Sequence, residues 1–70
     1  MADDQGPQSK QFRSSAIMRA TYDPKTQSLV VEFTGGRTYT FDGVPPDVWQ
    51  GLQMAGSPGT FYNTMIRGVY

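Results

Sequence analysis

Ser28-Leu29-Val30-Val31-Glu32-Phe33-Thr34-Gly35-Gly36-Arg37-Thr38-Tyr39-Thr40-Phe41 decides the fold. Leu29, Val31 and Phe33 alternate with Val30, Glu32 and Thr34; Tyr39 and Phe41 alternate with Thr38 and Thr40. Period two in β-branched and aromatic residues marks a strand with one buried face. Gly35-Gly36 permits a tight two-residue hairpin turn at positive φ. The two runs predict an antiparallel pair, since parallel pairing needs a longer crossover.

Working upstream, Ala16, Met18, Ala20 and Tyr22 fall on one side of a third alternating run, opposite Ile17, Arg19 and Thr21. Asp23-Pro24-Lys25-Thr26-Gln27 supplies the turn into Ser28. Residues 1–11, MADDQGPQSKQ, are almost wholly polar residues, glycine and proline. Little there offsets the entropy of ordering, so they read as a flexible N-terminal tail, with a single domain over 12–70.

Downstream, Val44-Pro45-Pro46-Asp47 stops the sheet, and Pro46 and Asp47 suit the first turn of a helix. Val48, Leu52 and Ala55 follow at i, i+4 and i+7, flanked by Trp49 and Met54. Gly56 ends that helix; Ser57 caps a second, with Pro58 at its first position. The expected fold is α+β: a three-stranded antiparallel meander followed by two short helices packed on one face. Its expected core is Leu29, Val31, Phe33, Tyr39, Phe41, Val48, Trp49, Leu52, Phe61 and Ile66.

Composition narrows the function classes. Seventy residues support one small domain. There is no cysteine and no histidine, which removes thiolate nucleophiles, sulfur-ligated metal and the commonest general base. Six Lys and Arg balance six Asp and Glu, a poor supply of cations for nonspecific nucleic-acid binding. Met1–Gly6 has neither a basic region nor an apolar segment, and no apolar run approaches a membrane span. The expectation is a cytoplasmic protein without a membrane association or a cofactor.

The order and spacing of several short features resemble the KTSC domain family. They are Ser14-Ser15, Tyr22-Asp23, Leu29-Val30-Val31-Glu32-Phe33, Gly36, Tyr39 and Phe41, Val44-Pro45 with Val48 and Leu52, then Ser57, Gly59, Phe61, Asn63, Ile66, Gly68 and Tyr70. The resemblance runs from about Arg13 to Tyr70. Thr60 stands where related sequences often carry lysine, and Gly68-Val69-Tyr70 lacks the basic residue often found between glycine and tyrosine. The family occurs alone in bacteria and phages and at the C-terminus of some lysyl-tRNA synthetases. That fusion implies an RNA context by association.

An enzyme finds little to work with. Asp23, Asp42 and Asp47 sit in or beside turns, where carboxylates cap backbone amides, and Glu32 falls on the outward strand face. A serine nucleophile would have to borrow a lysine, and Ser57 is better used as a cap. Neither Gly35-Gly36 nor Gly56-x-x-Gly59 has the spacing and lysine of a phosphate loop. A small hydrolase, or a magnesium site through Asp42 and Asp47, is the least favoured reading.

The favoured reading is a small noncatalytic recognition module for a protein partner, with Tyr62, Asn63, Arg67 and Tyr70 as the binding patch. It takes Phe61 and Ile66 to point inward while Tyr62 and Arg67 point out. The alternative is an accessory RNA- or DNA-binding module using Arg19, Arg37 and Arg67 beside exposed tyrosines. A threonine-rich outer sheet face and an unpaired edge also allow a weak homodimer rather than a monomer.

Overall fold

Leu29 and Val31 sit on one of the two central strands, on the inner sheet face, and neither is accessible to solvent. The computed structural model describes residues 6–70. Four strands, β1 (Gln8–Gln11), β2 (Ile17–Asp23), β3 (Ser28–Phe33) and β4 (Thr38–Phe41), form one antiparallel sheet in chain order. Helix α1 (Pro46–Met54) follows, then a short α2 (Pro58–Phe61) that runs directly into a π-helical turn, Tyr62–Ile66. Ile17, Ala20, Tyr22, Leu29, Val31, Val44, Trp49, Leu52, Tyr62 and Ile66 form the buried core, with Phe33, Phe41, Val48 and Phe61 packed against it.

The sheet therefore has four strands, not the expected three. Of residues 1–11, read as a tail, 1–5 lie outside the described residues, while Gln8–Gln11 pair with β2 from Gln8 opposite Tyr22 to Gln11 opposite Arg19. All four residues of β1 are exposed, so backbone hydrogen bonds rather than apolar burial hold this strand. Two side-chain contacts reinforce it. The Trp49 Nε1–H donates to Gln8 Oε1 at 2.9 Å, and the hydroxyls of Ser9 and Thr21 lie 3.1 Å apart.

The facing of β2 also departs from strict alternation. Ile17 pairs with Phe33 and Arg19 with Glu32, so Met18 is an extra residue forming a bulge. One extra residue switches the face, which puts Ile17 on the same buried side as Ala20 and Tyr22 and leaves Met18 exposed. The β3–β4 connection is a three-residue loop, Thr34–Gly36. The Phe33 N–H donates to Arg37 O at 2.8 Å and the Gly36 N–H to Phe33 O at 2.9 Å. Within this loop Gly36 alone takes positive φ, at 93°, as a type I turn closed by a left-handed residue requires.

Helix α1 starts where Pro46 and Asp47 place it, with Pro45 at the N-cap. Ser57 occupies the N-cap of α2 with Pro58 behind it, but its hydroxyl donates to the Thr60 hydroxyl at 3.0 Å rather than to a backbone amide. The two helices meet where Gly51 faces the Phe61 ring: a Cβ on Gly51 would lie 2.8 Å from the ring tip. Among the described residues, no helix is long and apolar enough to cross a membrane.

Candidate functional site

The inner face of the sheet is longer than the helices that cover it. At the Tyr22 end the cover is complete. Trp49 stacks on Tyr22 with centroids 5.6 Å apart and planes 17° from parallel, and the Tyr22 hydroxyl donates to the Val44 carbonyl at 2.6 Å. Burial, and secondarily the Asp23 carboxylate, push the Tyr22 phenol above its ordinary pKa.

At the hairpin end the cover stops short and leaves a cleft of about 760 Å³. Its sheet wall is the inner face of the β3–β4 hairpin, with Phe33, Arg37, Tyr39 and Phe41; the opposite wall is the π-helical turn, with Tyr62, Asn63 and Arg67. Aromatic edges form the floor. Phe33 meets Tyr62 at 4.9 Å and Tyr39 at 5.7 Å, and Phe41 meets Tyr62 at 5.8 Å, all edge to face with planes 63–77° apart. Arg37 and Arg67 are both exposed, and among the described residues neither has a carboxylate within ion-pair distance. Among the described residues, no acidic side chain lines the cleft.

Tyr62 links the core to this site. It is 8% exposed, not outward-facing as expected, because its ring fills the gap between Phe33 and Phe41. Burial raises its phenol pKa most, the nearby Tyr39 phenol adds to the rise, and Arg67 opposes it. The ring therefore stays a neutral phenol at physiological pH.

The structure thus gathers four predicted residues in one cleft: Tyr62, Asn63 and Arg67 of the protein-binding patch, and Arg37 of the nucleic-acid set. Tyr70 does not line it; its amide donates to the Ile66 carbonyl at 3.2 Å, closing the chain behind the π-helical turn. Arg19 lies across the sheet on the outer face, where its Nε is 3.3 Å from Glu32. Glu32 is accordingly paired rather than simply solvated.

Phe33, Tyr39 and Phe41 are the site residues expected in the core instead. Tyr39 is 43% exposed. The available signal was the alternating row Arg37, Tyr39, Phe41, whose first member is charged and so marks where the inner face runs out of cover. Of the turn carboxylates, Asp23 takes the expected role, its Oδ1 accepting the Lys25 amide at 3.0 Å. Asp42 Oδ1 instead accepts the Ser28 hydroxyl at 3.3 Å, and Asp47 stands in the first turn of α1. Among the described residues, no group of three or more acidic side chains is placed to hold a metal ion.

Comparison with known proteins bears on the whole of this architecture. Residues 13–70 match the family model of the KTSC domain. The chain is 48% identical over 54 residues to a protein of Tsukamurella paurometabola, covering 77% of this chain and 81% of that one. It is 39% identical over 56 residues to a lysine–tRNA ligase of Nostoc punctiforme, covering 80% of this chain and 10% of the ligase. The crystal structure of a KTSC domain protein from Yersinia pestis superposes with a TM-score of 0.85 at 33% identity, covering 91% of this chain and 90% of the other.

Proposed function

The chain belongs to the KTSC domain family, and from that premise we propose that it is a small noncatalytic recognition module that binds a protein partner through the hairpin-end cleft. One observation carries this reading: an aromatic floor lies open between two guanidinium groups that have no carboxylate partner among the described residues. Tyrosine and arginine are the side chains most often found as interface anchors. Here Tyr39, Arg37 and Arg67 are the anchors, Asn63 is an adaptable polar contact, and Tyr62 is the rigid backing. Tyr70 serves this patch from behind by fixing the end of the π-helical turn. The module works in the cytoplasm as a monomer or weak homodimer and without a cofactor.

RNA or DNA binding is the second reading, favoured by Tyr39 standing beside Arg37 and Arg67 as a stacking surface next to cations. The relative that is a lysine–tRNA ligase adds an RNA association. Arg19, occupied by Glu32 on the far face, does not contribute to this surface.

The test is affinity capture from a lysate of the source organism, with and without nuclease, comparing the native chain with Tyr39→Ala and Arg37→Ala. A protein that survives nuclease and is lost with both variants supports the proposal. Retained RNA or DNA, with proteins lost on nuclease treatment and binding that falls steeply with salt, reverses the order of the two readings.

A further inference from the structure

Strand β4 is the open edge of the sheet beside the cleft, and its backbone polarity can be read from the register. The Phe33 N–H donates to Arg37 O, and Leu29–Phe41, Val30–Thr40, Val31–Tyr39 and Glu32–Thr38 are the facing pairs. In an antiparallel ladder, hydrogen-bonded pairs alternate with pairs that share none. Arg37, Tyr39 and Phe41 therefore bond β3, while the main-chain groups of Thr38 and Thr40 point away from it. Both threonines are exposed, and among the described residues β4 is the last strand of the sheet. An unpaired edge of this kind is a template for an added strand.

The same alternation places Arg37, Tyr39 and Phe41 in one row on the cleft side. Main-chain bonding groups and a side-chain row are thus offered together, the arrangement used where an extended peptide adds to a sheet edge. Resting on the protein-recognition reading above, we infer that the partner presents an extended segment that pairs antiparallel with β4 as a fifth strand. Cross-strand neighbours then set its chemistry. An apolar residue lies opposite Phe41, an aromatic or apolar one opposite Tyr39, and a carboxylate opposite Arg37, within the field of Arg67. Read from its N-terminus, the segment is apolar–x–aromatic–x–acidic. The acidic residue is required because the guanidinium of Arg37 ends the row, that of Arg67 lines the same cleft, and no acidic side chain of this chain's described residues lines it.

The probe is the capped peptide acetyl-Gly-Ile-Thr-Phe-Thr-Glu-Gly-amide, titrated into the isotope-labelled full chain and followed by amide resonances. The expected result is saturable movement of the Thr38 and Thr40 amides. The glutamine version of the peptide binds about fivefold more weakly, the change for a partly exposed ion pair of about 1 kcal/mol. That difference disappears in the Arg37→Gln chain, and a peptide N-methylated at both threonines does not bind. If the N-methylated peptide binds as well as the parent while moving Asn63 and Arg67, strand addition is overturned and protein recognition by the cleft stands. If hexauridylate saturates the cleft and no peptide does, both readings fall. Silence of the parent peptide throughout the titration overturns the inference alone, leaving the capture experiment to decide the reading. Thr38 and Thr40 shifts that follow dilution of the chain by itself assign the edge to a second copy and likewise overturn it.

Discussion

The two ends of the sheet's inner face use the same kind of residue for opposite purposes. At one end Tyr22 and Trp49 stack in parallel, and each polar tip has an internal acceptor, the Val44 carbonyl and the Gln8 side chain. At the other, Phe33, Tyr39, Phe41 and Tyr62 meet edge-on, Tyr39 is 43% exposed, and two arginines stand at the rim. Aromatic content alone does not distinguish a core from a recognition surface. The distinction lies in whether a polar tip is satisfied internally and whether a neighbouring element is long enough to cover the ring.

The comparison breaks most visibly if the closed end is emptied. Trp49→Ala should cost about 3–5 kcal/mol, enough to unfold much of so small a domain. Urea denaturation measures it, and a loss below about 1 kcal/mol would mean that the Trp49 stack does not hold the closed end. Tyr22→Phe is the next largest. It keeps the stack but strips the Val44 carbonyl of its donor, at about 1–3 kcal/mol.

The same variant carries a pH signature. Because the folded chain holds the Tyr22 phenol above its ordinary value of 10.0, folding favours the protonated form. This contribution is fully present below pH 10 and is lost as pH rises through the raised folded value. The native chain should therefore lose stability on the alkaline side, and Tyr22→Phe should lose less; melting temperatures across that range check it. Tyr62→Phe should flatten the same limb for the same reason.

Gln8→Ala sharpens the contrast by asking whether β1 belongs to the closed end. Removing the acceptor of the partly buried Trp49 N–H should cost about 1 kcal/mol, read as a lower denaturation midpoint. The smallest effect belongs to the open end. Arg37→Ala should change stability by less than about 0.5 kcal/mol, since Arg37 is exposed and has no ion-pair partner among the described residues. A clear loss of stability there would make the rim structural and erase the difference between the ends.

The sequence made parts of this legible and hid others for identifiable reasons. The β3–β4 hairpin and α1 were readable because apolar spacing and proline position act locally: Leu29 and Val31 alternate, and Pro46 opens a helix. Strand β1 was not, because Gln8–Gln11 bury no apolar side chain, and backbone pairing leaves no mark on residue type. The Met18 bulge was hidden because alternation assumes an unbroken period, and a bulge is a break in it. At the site, Asn63, Arg67 and Arg37 were visible as polar groups near glycine-bounded turns. Tyr39 was misplaced because period two assigns a face and says nothing about how far the covering helix reaches.

The π-helical turn has a further consequence. Its closing bond runs from the Arg67 N–H to the Tyr62 carbonyl at 2.8 Å, five residues apart. In a regular α-helix of 3.6 residues per turn, a residue five along lies about 140° around the axis. Arg67 would then stand on a different side from Tyr62. The widened turn returns it over Tyr62, so that one element seals the core with Tyr62 and Ile66 and still presents a cation to the cleft. A single-residue deletion within this turn would keep every side chain of the rim and lose the rim itself. The position of the charge is inherited as a length, and alignments of such domains should tolerate substitution at Thr64 far better than a gap there.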